Sequence, residues 1–95
     1  MELKNALEEL LKSCVKALVD NEEAVDIKIT DKSDQENQTC VAAEINVDAE
    51  DVGKVVGRRG RTIKSIRTLG RALGAKHDAR VEVEIYEEGR VRPTN

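Results

Sequence analysis

Aromatic side chains are almost missing from this chain, which has one tyrosine, no phenylalanine and no tryptophan among its 95 residues. Its core must therefore be built from Val, Ile, Leu and Ala, and a platform of stacked aromatics of the kind many single-strand binders use is excluded. Histidine is equally scarce: His77 stands alone beside Asp78 after a helix end and reads as a solvated turn residue. Without a second histidine, a CxxC pair or a serine–histidine–acid set, neither a metal site nor nucleophilic catalysis has its residues, so no cofactor, metal or enzymatic activity is expected. Cys14 and Cys40, the only cysteines, fall on an apolar helix face and in a strand. Such thiols read as small hydrophobes in a reducing compartment. No apolar run is long enough to span a bilayer or to serve as a leader, so the expected location is the cytoplasm.

Charge is not scarce but is segregated. Residues 1–51 carry a net −9, residues 52–77 a net +8 with eight bases and no acid, and residues 78–95 a net −2, which together give the formal −3. The overall acidity argues against a polyanionic partner, whereas the acid-free block makes a local positive field that the total conceals.

One domain is the expectation for this length. Leu3, Leu7, Leu10, Leu11, Cys14, Val15 and Leu18 recur at helical spacing from position 2 to about 20, with Glu8, Glu9, Lys12 and Lys16 opposite. Val25, Ile27 and Ile29 alternate with polar residues as a half-buried strand, residues 31–38 are wholly polar and form a loop, and Val41, Ala43, Ile45 and Val47 make a second, antiparallel strand. Asp48 is placed to cap a short helix that Gly57 ends. A longer helix is expected from about Thr62 to Leu73, with Ile63, Ile66, Leu69 and Leu73 on its apolar face and Gly74 as its C-cap. Val81, Val83 and Ile85 form the last strand, and residues 89–95 read as a frayed tail after a domain of residues 1–88. The order α-β-β-α-α-β predicts an α+β fold, a three-stranded mixed sheet covered on one face by three helices.

The organising stretch is Val55-Val56-Gly57-Arg58-Arg59-Gly60-Arg61-Thr62-Ile63. Its two glycines permit a tight turn and a close backbone approach to another surface. Arg58 and Arg59 add directed positive charge, and the amides of residues 58–60 at a helix start are suited to phosphate oxygens. A helix–helix corner with no ligand is the structural alternative. A P-loop is excluded, because G-x-x-x-x-G-K-[ST] is not met after Gly57, and the dinucleotide fingerprint fails because position 55 is Val.

A short helix, a G-x-x-G turn and a second helix between two strands resemble a KH domain, and the preceding helix and strand resemble its type II arrangement. Lys16-Ala17-Leu18-Val19-Asp20-Asn21, Glu50 to Arg61 and Ile66-Arg67-Thr68-Leu69 are similar to the small stand-alone bacterial KH proteins of the KhpA type, over roughly residues 2–87. The resemblance implies that Gly57, Arg58, Arg59 and Gly60 clamp the backbone of single-stranded RNA. It places bases in an apolar groove for which Val55, Val56 and Ile63 are the candidate wall. Lys54, Arg61, Lys64, Arg67 and, less specifically, Arg71 extend the electrostatic footprint, while Lys76 fits a solvated helix face as well. It further implies a homodimer, or a heterodimer with the larger KH-containing partner of the KhpB (Jag) type, and roles as an RNA chaperone or post-transcriptional regulator tied to division or envelope growth. Two other readings stay open: an interaction module acting mainly through a KH partner, and weak binding of DNA. No small-molecule substrate or membrane association is implied.

Overall fold

The computed structural model describes residues 2–32 and 39–86. Six regular elements follow the expected order: α1 (Leu3–Lys16), β1 (Asp26–Asp31), β2 (Thr39–Asn46), α2 (Val52–Val56), α3 (Arg61–Lys76) and β3 (Ala79–Ile85). Most of the expected 31–38 loop and the tail beyond Tyr86 lie outside the described residues.

The sheet is mixed, with β2 in the centre. A short connection makes β1 antiparallel to β2, with Ile27 opposite Ile45 and Ile29 opposite Ala43. β3 arrives by the two-helix crossover and therefore runs parallel, with Val41 opposite Val81 and Ala43 opposite Val83. The period of two turns Ile27, Val41, Ala43, Ile45, Val81 and Val83 to one side, where Leu7, Leu11 and Val15 of α1 and Ile63 and Ile66 of α3 close over them. α2 joins this core through Val55. The other face carries polar residues such as Lys28, Glu44, Glu82 and Glu84.

Three details depart from expectation. α1 ends at Lys16 and not near residue 20; Val19 is still buried, delivered by a turn in which the Leu18 amide donates to the Val15 carbonyl at 3.0 Å. α3 runs on to Lys76, so Gly74 is no C-cap but a buried point of close approach. A Cβ there would lie 2.6 Å from the Ala79 carbonyl oxygen and 2.8 Å from Val81 Cγ2. The chain turns into β3 one step later, through Asp78 at φ 56°. Leu69, expected on the apolar face, is 47% exposed. The contact line of α3 runs Ile63, Ile66, Gly70, Gly74, and at 3.6 residues per turn Leu69 sits about 100° away from Gly70.

Candidate nucleic-acid interface

The turn between α2 and α3 has positive φ at three of its four residues: Gly57 (78°), Arg59 (57°) and Gly60 (73°). Gly57, at φ 78° and ψ 173°, occupies a region that is essentially closed to side-chain-bearing residues. A Cβ added there would also fall on the Thr62 hydroxyl and 2.7 Å from Thr62 Cβ. Arg59 holds a left-handed conformation that costs an L-residue about 1–2 kcal/mol. The turn is thus fixed by Thr62 from within. The Gly57 amide closes on the Gly53 carbonyl at 2.9 Å, and the Gly60 amide on the Gly57 carbonyl at 3.1 Å. Gly60 N–H is therefore already used. Among the described residues the Arg58 and Arg59 amides have no acceptor, and these are the donors that the turn leaves available.

The two arginine side chains are exposed, as are Arg61 and Lys64, and none of these four has an acidic partner among the described residues. Arg61, Lys64 and Arg71 recur at steps of three and seven, which carries the charge from the turn along one face of α3. The acids lie elsewhere: Glu44, Glu82 and Glu84 share the polar face of the sheet, so the molecule is electrostatically two-sided.

Lys54 and Arg67 behave differently from the other bases. Lys54 Nζ lies 3.0 Å from Asp51 Oδ1 and 3.2 Å from Asp20 Oδ2, and these hydrogen bonds hold its pKa above the ordinary lysine value. Asp51, only 2% exposed, also accepts the Asn21 amide at 3.0 Å. That bond first, and Lys54 second, push the Asp51 pKa below the usual carboxylate value. Asn21 Nδ2 adds a 3.2 Å bond to Asp48, whose other oxygen accepts the Glu50 amide at 3.0 Å. Together these contacts tie the chain after α1 to the start of α2. The i,i+3 spacing of Asp51 and Lys54 is the signal in the sequence for this pair.

Arg67 reaches over the edge of the sheet. Its Nε donates to the Val83 carbonyl at 2.9 Å, and Nη2 lies 3.9 Å from Glu84. Among the described residues β3 pairs on one side only, with the Tyr86 amide turned inward to the Ile45 carbonyl at 2.9 Å and the Val83 carbonyl turned outward. Between Arg67 and Arg71 of α3 and residues 79–84 of β3 runs an open groove. It is polar, not apolar, and its lining excludes the three residues expected as its wall. Val55 is fully buried and Ile63 is 5% exposed, because both point down into the core under the turn; Val56 is half-buried. Of the expected set, the turn gathers Gly57, Arg58, Arg59, Gly60, Arg61 and Lys64, whereas Arg67 belongs to the groove and Lys54 to the Asp51 contact.

A model of the KH domain of the KhpA/KhpB family matches residues 8–85. The chain belongs to this family. It is not an enzyme family. Relatives called "RNA-binding protein KhpA" include one from Listeria monocytogenes, 43% identical over 81 residues that cover 85% of this chain and 100% of the relative. Another, from Borreliella burgdorferi, is 40% identical over 79 residues, 83% of this chain and 90% of the relative. Among solved structures, Era in complex with MgGDPNP and nucleotides of 16S ribosomal RNA superposes with a TM-score of 0.62 at 20% identity. That match covers 98% of this chain and about a third (34%) of the Era chain, and at such identity it shows a shared fold. The type II KH arrangement expected from the element order is thus the one present.

Proposed function

We propose that the protein binds single-stranded RNA, holding the sugar–phosphate backbone at Gly57–Gly60 while bases lie in the groove between α3 and β3. One observation carries this reading: the turn presents, at the head of a helix, two amides without an acceptor and two arginines without acidic partners among the described residues, in a backbone conformation fixed before any ligand arrives. Charge-assisted donors that need no reordering bind phosphate well. The name shared by the relatives supports RNA as the polymer. Post-transcriptional regulation or RNA chaperoning in the cytoplasm is the role that fits. Among the described residues no helix is long and apolar enough to cross a membrane.

The test is RNA binding by a variant carrying Arg58→Asp and Arg59→Asp. Aspartate is among the residues that accept the left-handed conformation of position 59, so the fold is retained. Affinity for a short single strand should fall at least tenfold at moderate salt; unchanged affinity would sink the proposal.

A second reading is an association module that pairs with another KH copy or with a larger KhpB-type protein. It draws support from Leu69, which stands exposed on α3. A single small domain contacts few nucleotides, and pairing raises the effective concentration of a second site. Sedimentation at micromolar concentration separates the two readings: a strict monomer that binds RNA well has no need of a homodimer.

A further inference from the structure

The groove beside the β3 edge differs from the glycine turn in the sign of its charges. The turn has arginines and no acid, which suits phosphate. The groove sets Arg67, Arg71 and Arg80 among Glu82 and Glu84. A phosphate beside Arg67 would also meet the Glu84 carboxylate, 3.9 Å from Nη2. A neutral ligand that accepts from one group and donates to the other meets no such repulsion. Nucleic-acid bases are ligands of that kind.

Arg67 is already oriented. Its Nε–H is spent on the Val83 carbonyl, which fixes the plane of the guanidinium, and its four Nη hydrogens have no hydrogen-bond acceptor among the described residues. Its side chain is 34% exposed, and that of Glu84 67% exposed, so the carboxylate has oxygen lone pairs to spare. An anchored guanidinium fork matches two adjacent acceptors. Guanine presents such a pair in O6 and N7, and cytosine one in O2 and N3, whereas adenine sets its N6 donor between N1 and N7 and uracil sets N3–H between O2 and O4. Guanine also carries N1–H next to O6, where a carboxylate adjoining the arginine can accept.

We propose that the α3–β3 groove selects guanine over uracil and adenine, with Arg67 donating to O6 and N7 and Glu84 accepting from N1–H. The proposal rests on the RNA-binding reading above and adds a base preference that the backbone clamp does not have. Arg67 and Glu84 are its specificity-determining residues.

The experiment is equilibrium binding of the full chain to a short uridine RNA, to the same RNA with one central guanosine, and to a third with 7-deazaguanosine in that place. The guanosine RNA should bind about tenfold more tightly than the uridine RNA. The 7-deaza analogue, which lacks the N7 acceptor, should lose most of that gain on the unaltered protein. In Arg67→Gln the guanosine-to-uridine affinity ratio should fall close to one, and Glu84→Gln should lower it in part. Equal binding of the guanosine and uridine RNAs overturns the base preference while leaving the backbone clamp standing. Arg67→Gln weakening both RNAs in the same proportion, with the ratio kept, overturns the assignment and makes Arg67 a phosphate contact. No binding of any RNA by the unaltered protein defeats the RNA-binding reading, and this inference with it.

Discussion

Gly57 and Asp51 show how single residues prepare the turn for a ligand without touching one. At Gly57 two constraints coincide, a backbone conformation that only glycine occupies readily and a Thr62 hydroxyl where a Cβ would be. Gly60 has only the first, since the nearest atom to an added Cβ is Ile63 Cγ2 at 4.0 Å. Gly57→Ala should therefore cost about 1–3 kcal/mol or more, and Gly60→Ala about 1 kcal/mol, in urea denaturation. The reverse order would mean that the turn is not packed as described. Asp51 acts through charge. Its pKa is lowered in the folded state, so its contribution to stability is whole above the unfolded carboxylate value of about 3.9 and is lost as pH falls through the lower folded value. Asp51→Asn should lower the melting temperature by a similar amount at pH 7 and pH 5. Below about pH 4 the gap to the unaltered protein should close. A gap that instead widened on acidification would contradict the ionised, bonded carboxylate.

At the scale of elements, α3 is the piece that sets the geometry of both binding surfaces. Its head forms the glycine turn, one face carries Arg61, Lys64 and Arg71, and its packing on β3 opens the groove. Gly70 and Gly74 govern how closely it lies. Gly74→Ala gains about 1 kcal/mol of helix propensity. It also drives a methyl into the Ala79 carbonyl, which is backbone and cannot step aside. The net effect should be a loss of about 1–2 kcal/mol, because overpacking exceeds the propensity gain. Gly53 in α2 makes the contrast: nothing lies within 4 Å of its added Cβ, so Gly53→Ala should stabilise by up to about 1 kcal/mol. Chemical denaturation of the pair gives opposite signs if α3 is seated on β3 as found. Leu69, turned outward by the same seating, is open to substitution: Leu69→Glu should leave stability within about 0.5 kcal/mol. If α3 mediates self-association, the same change should abolish it in sedimentation.

Over the whole molecule, the segregation of charge along the chain becomes a segregation in space. Glu44, Glu82 and Glu84 lie on the sheet face behind the core, while Arg58, Arg59, Arg61, Lys64 and Arg71, without acidic partners among the described residues, lie on the turn and α3. An acidic protein can thus attract a polyanion to one side and repel it from the other. Its RNA affinity should fall as salt rises, with about 0.7 added to the slope of log K against log salt for each phosphate contact on a single strand. Arg58→Gln should lower that slope by about 0.7, whereas Lys54→Gln, whose charge is taken up by Asp51 and Asp20, should change it far less. A salt-independent affinity would mean that the basic block is not where RNA sits.

The sequence by itself determined the order of elements, the mixed character of the sheet and the place of the glycine turn. Each follows from short-range signals: leucines at helical spacing in α1, strict alternation in the strands, and two glycines around two arginines between amphipathic helices. What only the tertiary structure decided is which side chains those elements leave facing solvent. Val55 and Ile63 look like a groove wall in one dimension but turn inward, because the residues flanking a tight turn are the ones that anchor it. Leu69 looks buried but is not, because two glycines rotate the contact line of α3 by drawing it onto β3. Lys54 and Arg67 count equally in a tally of charge, yet one is held by Asp51, 3 residues away in sequence, and the other by Val83, 16 residues away. Local spacing reaches the Asp51–Lys54 pair, whereas Val83 meets Arg67 only because α3 packs against β3. The guanidinium that the fold fixes at the groove is the clearest product of that packing.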